Sequence, residues 1–306
     1  MTIYDLKTMQ ICEIADSTVV ALGTFDGAHL GHMSVFSSCI RLAKSLGVKS
    51  AVYTFSTLPK NSFSNASEGA IFTLEEKIRA IREVGIDYLC IEDFENVCSL
   101  NGDEFLSSVL VGSMRAIGAC CGFNFRFGRG AEYGVHELEQ FFKSRGGSVN
   151  ICEKITLDDI TLSSSYLRRL VESGDVERLL LISRPYSIYS RVEHGKELGR
   201  KIGIPTINQL FPSGKVIPRR GVYITECEIG EDVYPSVTNV GVRPTVESGA
   251  TINMETHIIG YDGALYGSYV RVNFYKLLRE ERKFESIDEM MAEIKENIKE
   301  AIEYFK

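Results

Sequence analysis

Between Thr18 and Glu153, short apolar runs rich in β-branched residues alternate with stretches of helical period. Thr18–Leu22, Lys49–Phe55, Asp87–Ile91, Ala116–Cys121 and Ser148–Cys152 read as strands, and Met33–Leu46, Thr73–Val84, Gly102–Leu110 and Val135–Ser144 as helices. That alternation predicts an α/β fold, a doubly wound parallel sheet of about five strands, which takes ligands at the carboxyl ends of its strands. Two more helical stretches, Ser164–Glu172 and Val176–Ile182, lead to Ser183-Arg184-Pro185, where the proline disfavours helix in the residue before it. The domain boundary is placed there, giving 1–184 and 185–306. Beyond it come alternating strands over Val222–Ile229, Val233–Val240, Ile252–Ile259 and Tyr269–Tyr275, with Gly-rich turns and a closing amphipathic helix, Ile287–Tyr304. This pattern predicts a small antiparallel β-barrel with a terminal helix. Ser56–Gly69, rich in Ser and Asn, reads as a loop.

A chain of 306 residues with 44% apolar and 25% charged residues suits two ordinary globular modules. The net charge of -7 removes any general attraction to nucleic acid or anionic lipid, so a basic site has to be local. No apolar run is long enough to span a bilayer and Met1–Lys7 does not resemble a leader, so the expected address is cytoplasmic. The eight cysteines form no CxxC pair and read as buried reduced thiols.

The first candidate site follows the first strand: Gly23-Thr24-Phe25-Asp26-Gly27-Ala28-His29-Leu30-Gly31-His32, leading into a helix. A Gly-rich turn between strand and helix lets backbone N–H groups approach phosphate, and the helix N-terminus adds partial positive charge. His29 and His32, three apart, can face one side and donate to phosphate oxygens. The bland reading is a helix-capping loop; two of only five histidines at this turn weigh against it. Asp26 is left open between a turn residue and a ligand-facing one.

Two later segments add to this. Gly122-Phe123-Asn124-Phe125-Arg126-Phe127-Gly128-Arg129-Gly130 combines aromatics on which a flavin ring could stack with the polar Asn124, although one or two of its Phe belong in a core. Leu162-Ser163-Ser164-Ser165-Tyr166-Leu167-Arg168 opens a helix with three hydroxyls and an arginine, more than an N-cap needs, and suits phosphates. In the second module, His194–Asn208 sets Gly195, Gly199 and Gly203 among Lys196, Arg200 and Lys201, with Thr206 and Asn208 as neutral oxygen donors suited to Mg²⁺; a solvated turn is the alternative.

The first segment resembles the HxGH signature of nucleotidyltransferases. In order, the segments resemble the prokaryotic bifunctional riboflavin kinase/FAD synthetase family over essentially the whole chain: GxFDGxHxGH at Gly23–His32, the G-[D/N]-F-x-F-G type at Phe123–Gly128, the ISSTxIR type at Leu162–Arg168, and GxxxGRxxGxPTxN at Gly195–Asn208. Asn239–Thr245, Met254–His257 and Leu278–Phe284 continue it through the barrel. The resemblance implies catalytic roles for His29, His32 and Glu255, the last as base for the ribityl hydroxyl. It further implies ATP/FMN binding by Gly23, Phe25, Gly27, Asn124, Ser164, Arg168, Gly195, Gly199 and Arg200, and Mg²⁺ at Thr206 and Asn208. ATP is the expected co-substrate, and riboflavin, FMN and FAD the expected partners, with self-association left open and neither nucleic acid nor membrane expected. Departures are the missing first proline of TFxPxP at Thr54–Pro59, Thr161 where relatives often carry a basic residue, Ile204 and Ile207 for Phe and Ala, and Ile182-Ser183-Arg184-Pro185-Tyr186 for LGRPY. The altered linker keeps a second possibility open, an FAD synthetase with a kinase-inactive or regulatory barrel; a nonenzymatic flavin-binding protein is the third.

Overall fold

The computed structural model describes residues 1–5, 14–59, 69–195, 199, 203–245 and 249–306, with the backbone alone for 243–245 and 249–251. Two compact units divide between Tyr166 and Leu167.

The first unit is built on six parallel strands in the order β1-β4-β3-β2-β5-β6: β1 (Thr2–Asp5), β2 (Thr18–Leu22), β3 (Lys49–Phe55), β4 (Tyr88–Glu92), β5 (Ala116–Gly122) and β6 (Ser148–Cys152). Central β2 is buried on both faces: Val20 and Leu22 join one core cluster, Val19 and Ala21 the other. Each fully buried Val or Leu contributes about 1.5–3 kcal/mol, so the strand is held by its two layers rather than by local propensity. The chain runs outward from β2 through β3 to β4 and returns to β5 on the other side of β2. The switch point therefore lies between the carboxyl ends of β2 and β5, where Leu22 pairs with Cys121.

Helix α1 (Leu30–Leu46) ends at Gly47, whose φ of 67° gives the left-handed turn that lets Val48 enter β3. Helix α2 (Leu74–Val84) starts at a capping box in which Thr73 and Glu76 satisfy each other's backbone N–H groups. The helix expected over Gly102–Leu110 is a single α turn, Gly102–Glu104, running into a wider π-type stretch, Phe105–Ser113, closed by the Met114 N–H on the Val109 carbonyl.

The second unit is a closed barrel of six antiparallel strands: β9 (Tyr186–Glu193), β10 (Ile207–Leu210), β11 (Gly221–Ile229), β12 (Asp232–Thr245), β13 (Gly249–Ile258) and β14 (Tyr269–Arg279). The hairpin β7 (Thr156–Leu157) and β8 (Ile160–Thr161) precedes it in the chain. Four of the barrel strands match the periodicity; β9 and β10 are additions that close it. β11 is buried on both faces. Tyr223, Thr225 and Cys227 point inward, while Val222 and Ile224 pack with Ala301 of the closing helix, Ile287–Tyr304. Inside, Thr225, Ser236, Thr238 and Thr256 join hydroxyl to hydroxyl at 2.8–2.9 Å. Among the described cysteines all are free, with Cys98 and Cys152 half-buried and the others buried; Cys12 lies outside the described residues.

Candidate functional site

The loop leaving β2 is held in an unusual backbone. Phe25, Gly27 and Ala28 have φ of 49°, 90° and 40°, a cost that persists only where surroundings over-determine the conformation. The surroundings are visible. The Thr54 hydroxyl donates to the Thr24 carbonyl at 3.0 Å and the Ser164 hydroxyl to the Asp26 carbonyl at 2.7 Å. The Asp26 carboxylate accepts from the N–H groups of Ile71 and Phe72 at 3.1 and 2.8 Å. Asp26, 1% exposed, is thus neither a self-satisfied turn residue nor visibly ligand-facing: it clamps the loop to the segment that starts α2.

His29 is the N-cap of α1, its Nδ1 accepting from the Gly31 N–H at 3.1 Å. With Nδ1 an acceptor, Nε2 carries the hydrogen of the neutral ring. Burial pushes the His29 imidazole down to about 4, so that ring is neutral at pH 7. His32 stacks on His29 at 3.8 Å between ring centroids and is held well below the usual range, first by burial, then by the charges of His29 and Lys77. Its buried Nδ1 has no hydrogen-bond partner among the described residues. Phe25 lies beneath, edge-on to His32 at 5.3 Å and against Phe36.

These groups open on a cavity of ≈ 720 Å³ at the switch point. Gly23, Phe25, His29, His32, Asn124 and Ser164 all line it; Gly27 does not. Its opposite wall is aromatic. Phe123 is exposed, Phe125 half-buried and Phe127 buried, with the last two rings 5.7 Å apart and nearly parallel; Phe55, Phe94 and Phe105 also face the cavity. Of the segment's three Phe, only Phe127 is a true core residue. Gly128, φ 74°, lies so close to Gly102 that an added Cβ would stand 2.9 Å from the Gly102 nitrogen, fixing the segment against the β4–β5 connection.

Ser163, not Ser164, caps the helix Ser164–Ser173 by accepting from the Tyr166 N–H at 3.2 Å. The proton of Ser164 goes to Asp26, leaving its oxygen facing the cavity as an acceptor. Arg168, on the same helix, is buried and falls past the division between the units. Lys77 of α2, which carries no motif, is 4% exposed, donates to the Phe55 carbonyl at 2.8 Å, and is brought down to about 8 by burial against the opposing pull of Asp26.

In the barrel, Asn208 of β10 pairs across the ladder with Glu255 of β13, which pairs in turn with Asn239 of β12. Directly paired residues share a face, and this face is the outer one, since Gln209, Met254 and Thr256 fill the interior. Asn208 is the second residue of a strand rather than part of a loop. A Cβ on Gly195 would stand 2.3 Å from the Asn208 amide nitrogen; one on Gly199 would stand 2.3 Å from the Ile204 carbonyl and 3.4 Å from Thr206 Oγ1. The two glycines therefore cradle the two oxygen-bearing side chains. His257 Nδ1 donates to the Pro205 carbonyl at 2.8 Å, fastening this turn to β13. A Cβ on Gly241 would collide with Glu281 Oε1 and lie 3.1 Å from Asn239 Nδ2, which brings an unassigned carboxylate to the same face. Arg200 lies outside the described residues. Arg279 is engaged by Glu293 and Asn297 of the closing helix at 3.0 and 3.2 Å, and lies over Phe284.

Two family models match the chain: FAD synthetase over residues 12–166 and riboflavin kinase over 182–305. Curated relatives described as bifunctional riboflavin kinase/FMN adenylyltransferase include those of Bacillus subtilis strain 168, 33% identical over 94% of this chain and 92% of the relative, and Escherichia coli K12, 32% identical over 95% and 93%. A solved structure from Streptococcus pneumoniae, described as a macrolide-efflux protein, superposes with a TM-score of 0.88 at 26% identity, covering 97% of both chains. Among the described residues no helix is long and apolar enough to cross a membrane.

Proposed function

The chain belongs to the bifunctional riboflavin kinase/FMN adenylyltransferase family, and from that membership we infer that it makes FAD in two ATP-dependent steps. Riboflavin and ATP give FMN and ADP; FMN and a second ATP give FAD and pyrophosphate. We assign adenylylation to 1–184 and phosphorylation to 185–306, a division supported by the spans of the two family models, with a cytoplasmic setting as part of the same reading. The efflux description belongs to the S. pneumoniae protein and is not carried over.

The observation that carries adenylylation is the neutral, stacked imidazole pair at the start of α1, facing an aromatic cavity. The FMN phosphate oxygen attacks the α-phosphorus of ATP, the bond to the bridging oxygen breaks, and pyrophosphate leaves. Charge grows on phosphoryl oxygens in that step. His29 Nε2–H and the N-terminus of α1 donate to them in this reading, and burial keeps these donors in a low-dielectric surround where they act most strongly. Asn124 and the exposed face of Phe123 are proposed to hold the flavin end, Gly23 the backbone approach to phosphate.

For phosphorylation, Glu255 accepts the proton of the ribityl 5′-hydroxyl as its oxygen attacks the γ-phosphorus and ADP leaves. Thr206 and Asn208 fit Mg²⁺. They are neutral oxygen donors packed against two glycines, and few protein ligands suit an ion that keeps waters and phosphates as the rest of its shell. Bound there, Mg²⁺ neutralises phosphate charge.

The test is to incubate the purified protein with ATP, Mg²⁺ and either riboflavin or FMN, then separate the flavins by chromatography. FAD from both, with FMN appearing on the way from riboflavin, is the expected result. FAD from FMN alone removes the kinase; no new flavin from either removes the reading.

A further inference from the structure

We propose that Lys77 is a positioning residue for adenylyl transfer, its ammonium tying the end of β3 to α2, the helix to whose start the loop that carries His29 and His32 is fastened. Lys77 is 4% exposed and Asp26 1% exposed, a cation and a carboxylate both taken out of water. Neither lines the cavity. The lysine donates to the Phe55 carbonyl at 2.8 Å, and Phe55 is a cavity residue at the last position of β3. Asp26, whose charge favours the protonated lysine, sits in the middle of the loop. The same carboxylate grips Ile71 and Phe72 just before the capping box of the helix on which Lys77 stands. Loop and strand end are thereby both fastened to one helix, the loop at its start through Asp26 and the strand end through Lys77.

Two features make this linkage a positioning device rather than ordinary packing. The backbone it holds is the strained one, positive in φ at the non-glycine residues Phe25 and Ala28 and therefore dependent on its surroundings. Burial first, then His29, hold the His32 ring well below the usual range, and the Lys77 charge adds to them in the same direction. A buried lysine also opposes its own burial. Apolar packing alone would use a Leu or Met at this place on α2.

This inference rests on adenylyl transfer being the reaction of the first unit. The test uses the full chain with Lys77→Met and, beside it, the nearly isosteric Asp26→Asn, measuring FMN adenylylation, riboflavin phosphorylation, FMN binding by flavin fluorescence, and thermal unfolding. The wild-type chain is the control: if it makes no FAD, the reading of the unit fails, not the role of Lys77. The expected result is a kcat for adenylylation lower by roughly a hundredfold, the order seen when a reacting geometry is displaced by about 1 Å. KM for ATP and FMN, FMN binding and riboflavin phosphorylation should stay at wild-type values. If Lys77→Met does not fold, Asp26→Asn is read in the same way. Unchanged adenylylation in the folded variants overturns the proposal. So does a raised KM at unchanged kcat, or an activity loss that only follows the fraction of unfolded protein.

Discussion

At the scale of single residues, the sequence shows which groups reach the cavity better than which groups hold them there. His29, His32, Asn124 and Ser164 each sit in a motif visible in the sequence, and all four line the cavity. Lys77 has no such motif. Its signal is subtler: in the period of α2 it stands on the side of Leu74, Ile78 and Ile81, a charge on the apolar stripe of an amphipathic helix. Two outcomes follow at this scale. His29→Asn preserves a good N-cap and should lower FAD formation by about 10²–10³-fold, as removal of one donor to a developing charge does. The same variant should be less acid-sensitive. The free imidazole titrates at 6.5 and the folded one at about 4, so between those values the unfolded chain takes a proton that the folded one refuses. Stability therefore falls as pH drops through that window, by about 2 kcal/mol from pH 7 to pH 5 for this group; melts of wild type and His29→Asn at the two pH values measure the difference. In the barrel, Gly195→Ala pushes a methyl into the Asn208 amide and should reduce riboflavin phosphorylation while leaving FMN adenylylation at the wild-type rate.

Elements with a strong period are legible, and short or two-sided ones are not. Ile287–Tyr304 is a helix with the bounds its pattern gives. β10 has four residues, two of them polar, and takes its identity from ladders on both sides rather than from its own sequence. β9 is interrupted by Ser187, Ser190 and Arg191, and only its partners β10 and β14 make it a strand. The π-type stretch Phe105–Ser113 shows an ordinary apolar pattern, and nothing local in it forecasts the wider turn. The start of α2 matters beyond its length, since it carries the contacts to Asp26. Thr73→Ala removes half the capping box and should cost about 1 kcal/mol, read as a lower unfolding midpoint of the first unit. Gly102→Ala should cost more, because its methyl would enter the Tyr133 ring, with the closest ring atom 2.2 Å away.

At the scale of the whole molecule, two chemistries are carried by two units with separate cores. The change of pattern along the chain shows that there are two; where the compact units part is a matter of contacts that no local signal encodes. Since FMN is the product of one reaction and the substrate of the other, defects confined to different units should complement through solution. A mixture of His29→Asn and Asn208→Ala chains, each slow to turn riboflavin into FAD alone, should do so faster together, with a lag while FMN accumulates. Chromatography of the mixture against each chain alone measures it, and no gain would mean that one substitution damages both reactions.

The barrel has one thin seam. β11 and β12 pair along nine positions from Gly221 to Ile229, whereas β9 and β10 pair only at Asn208 with Glu193 and Gln209 with Val192. A ladder that short has few hydrogen bonds to lose, so local opening of the unit should start there, and its amides should trade hydrogen for deuterium ahead of those in β11. Thr206 and Asn208 stand at this edge. Nucleotide held by them would stitch the seam shut, and slower exchange in β9 and β10 with ATP and Mg²⁺ would report occupancy of the kinase site before any phosphate is transferred.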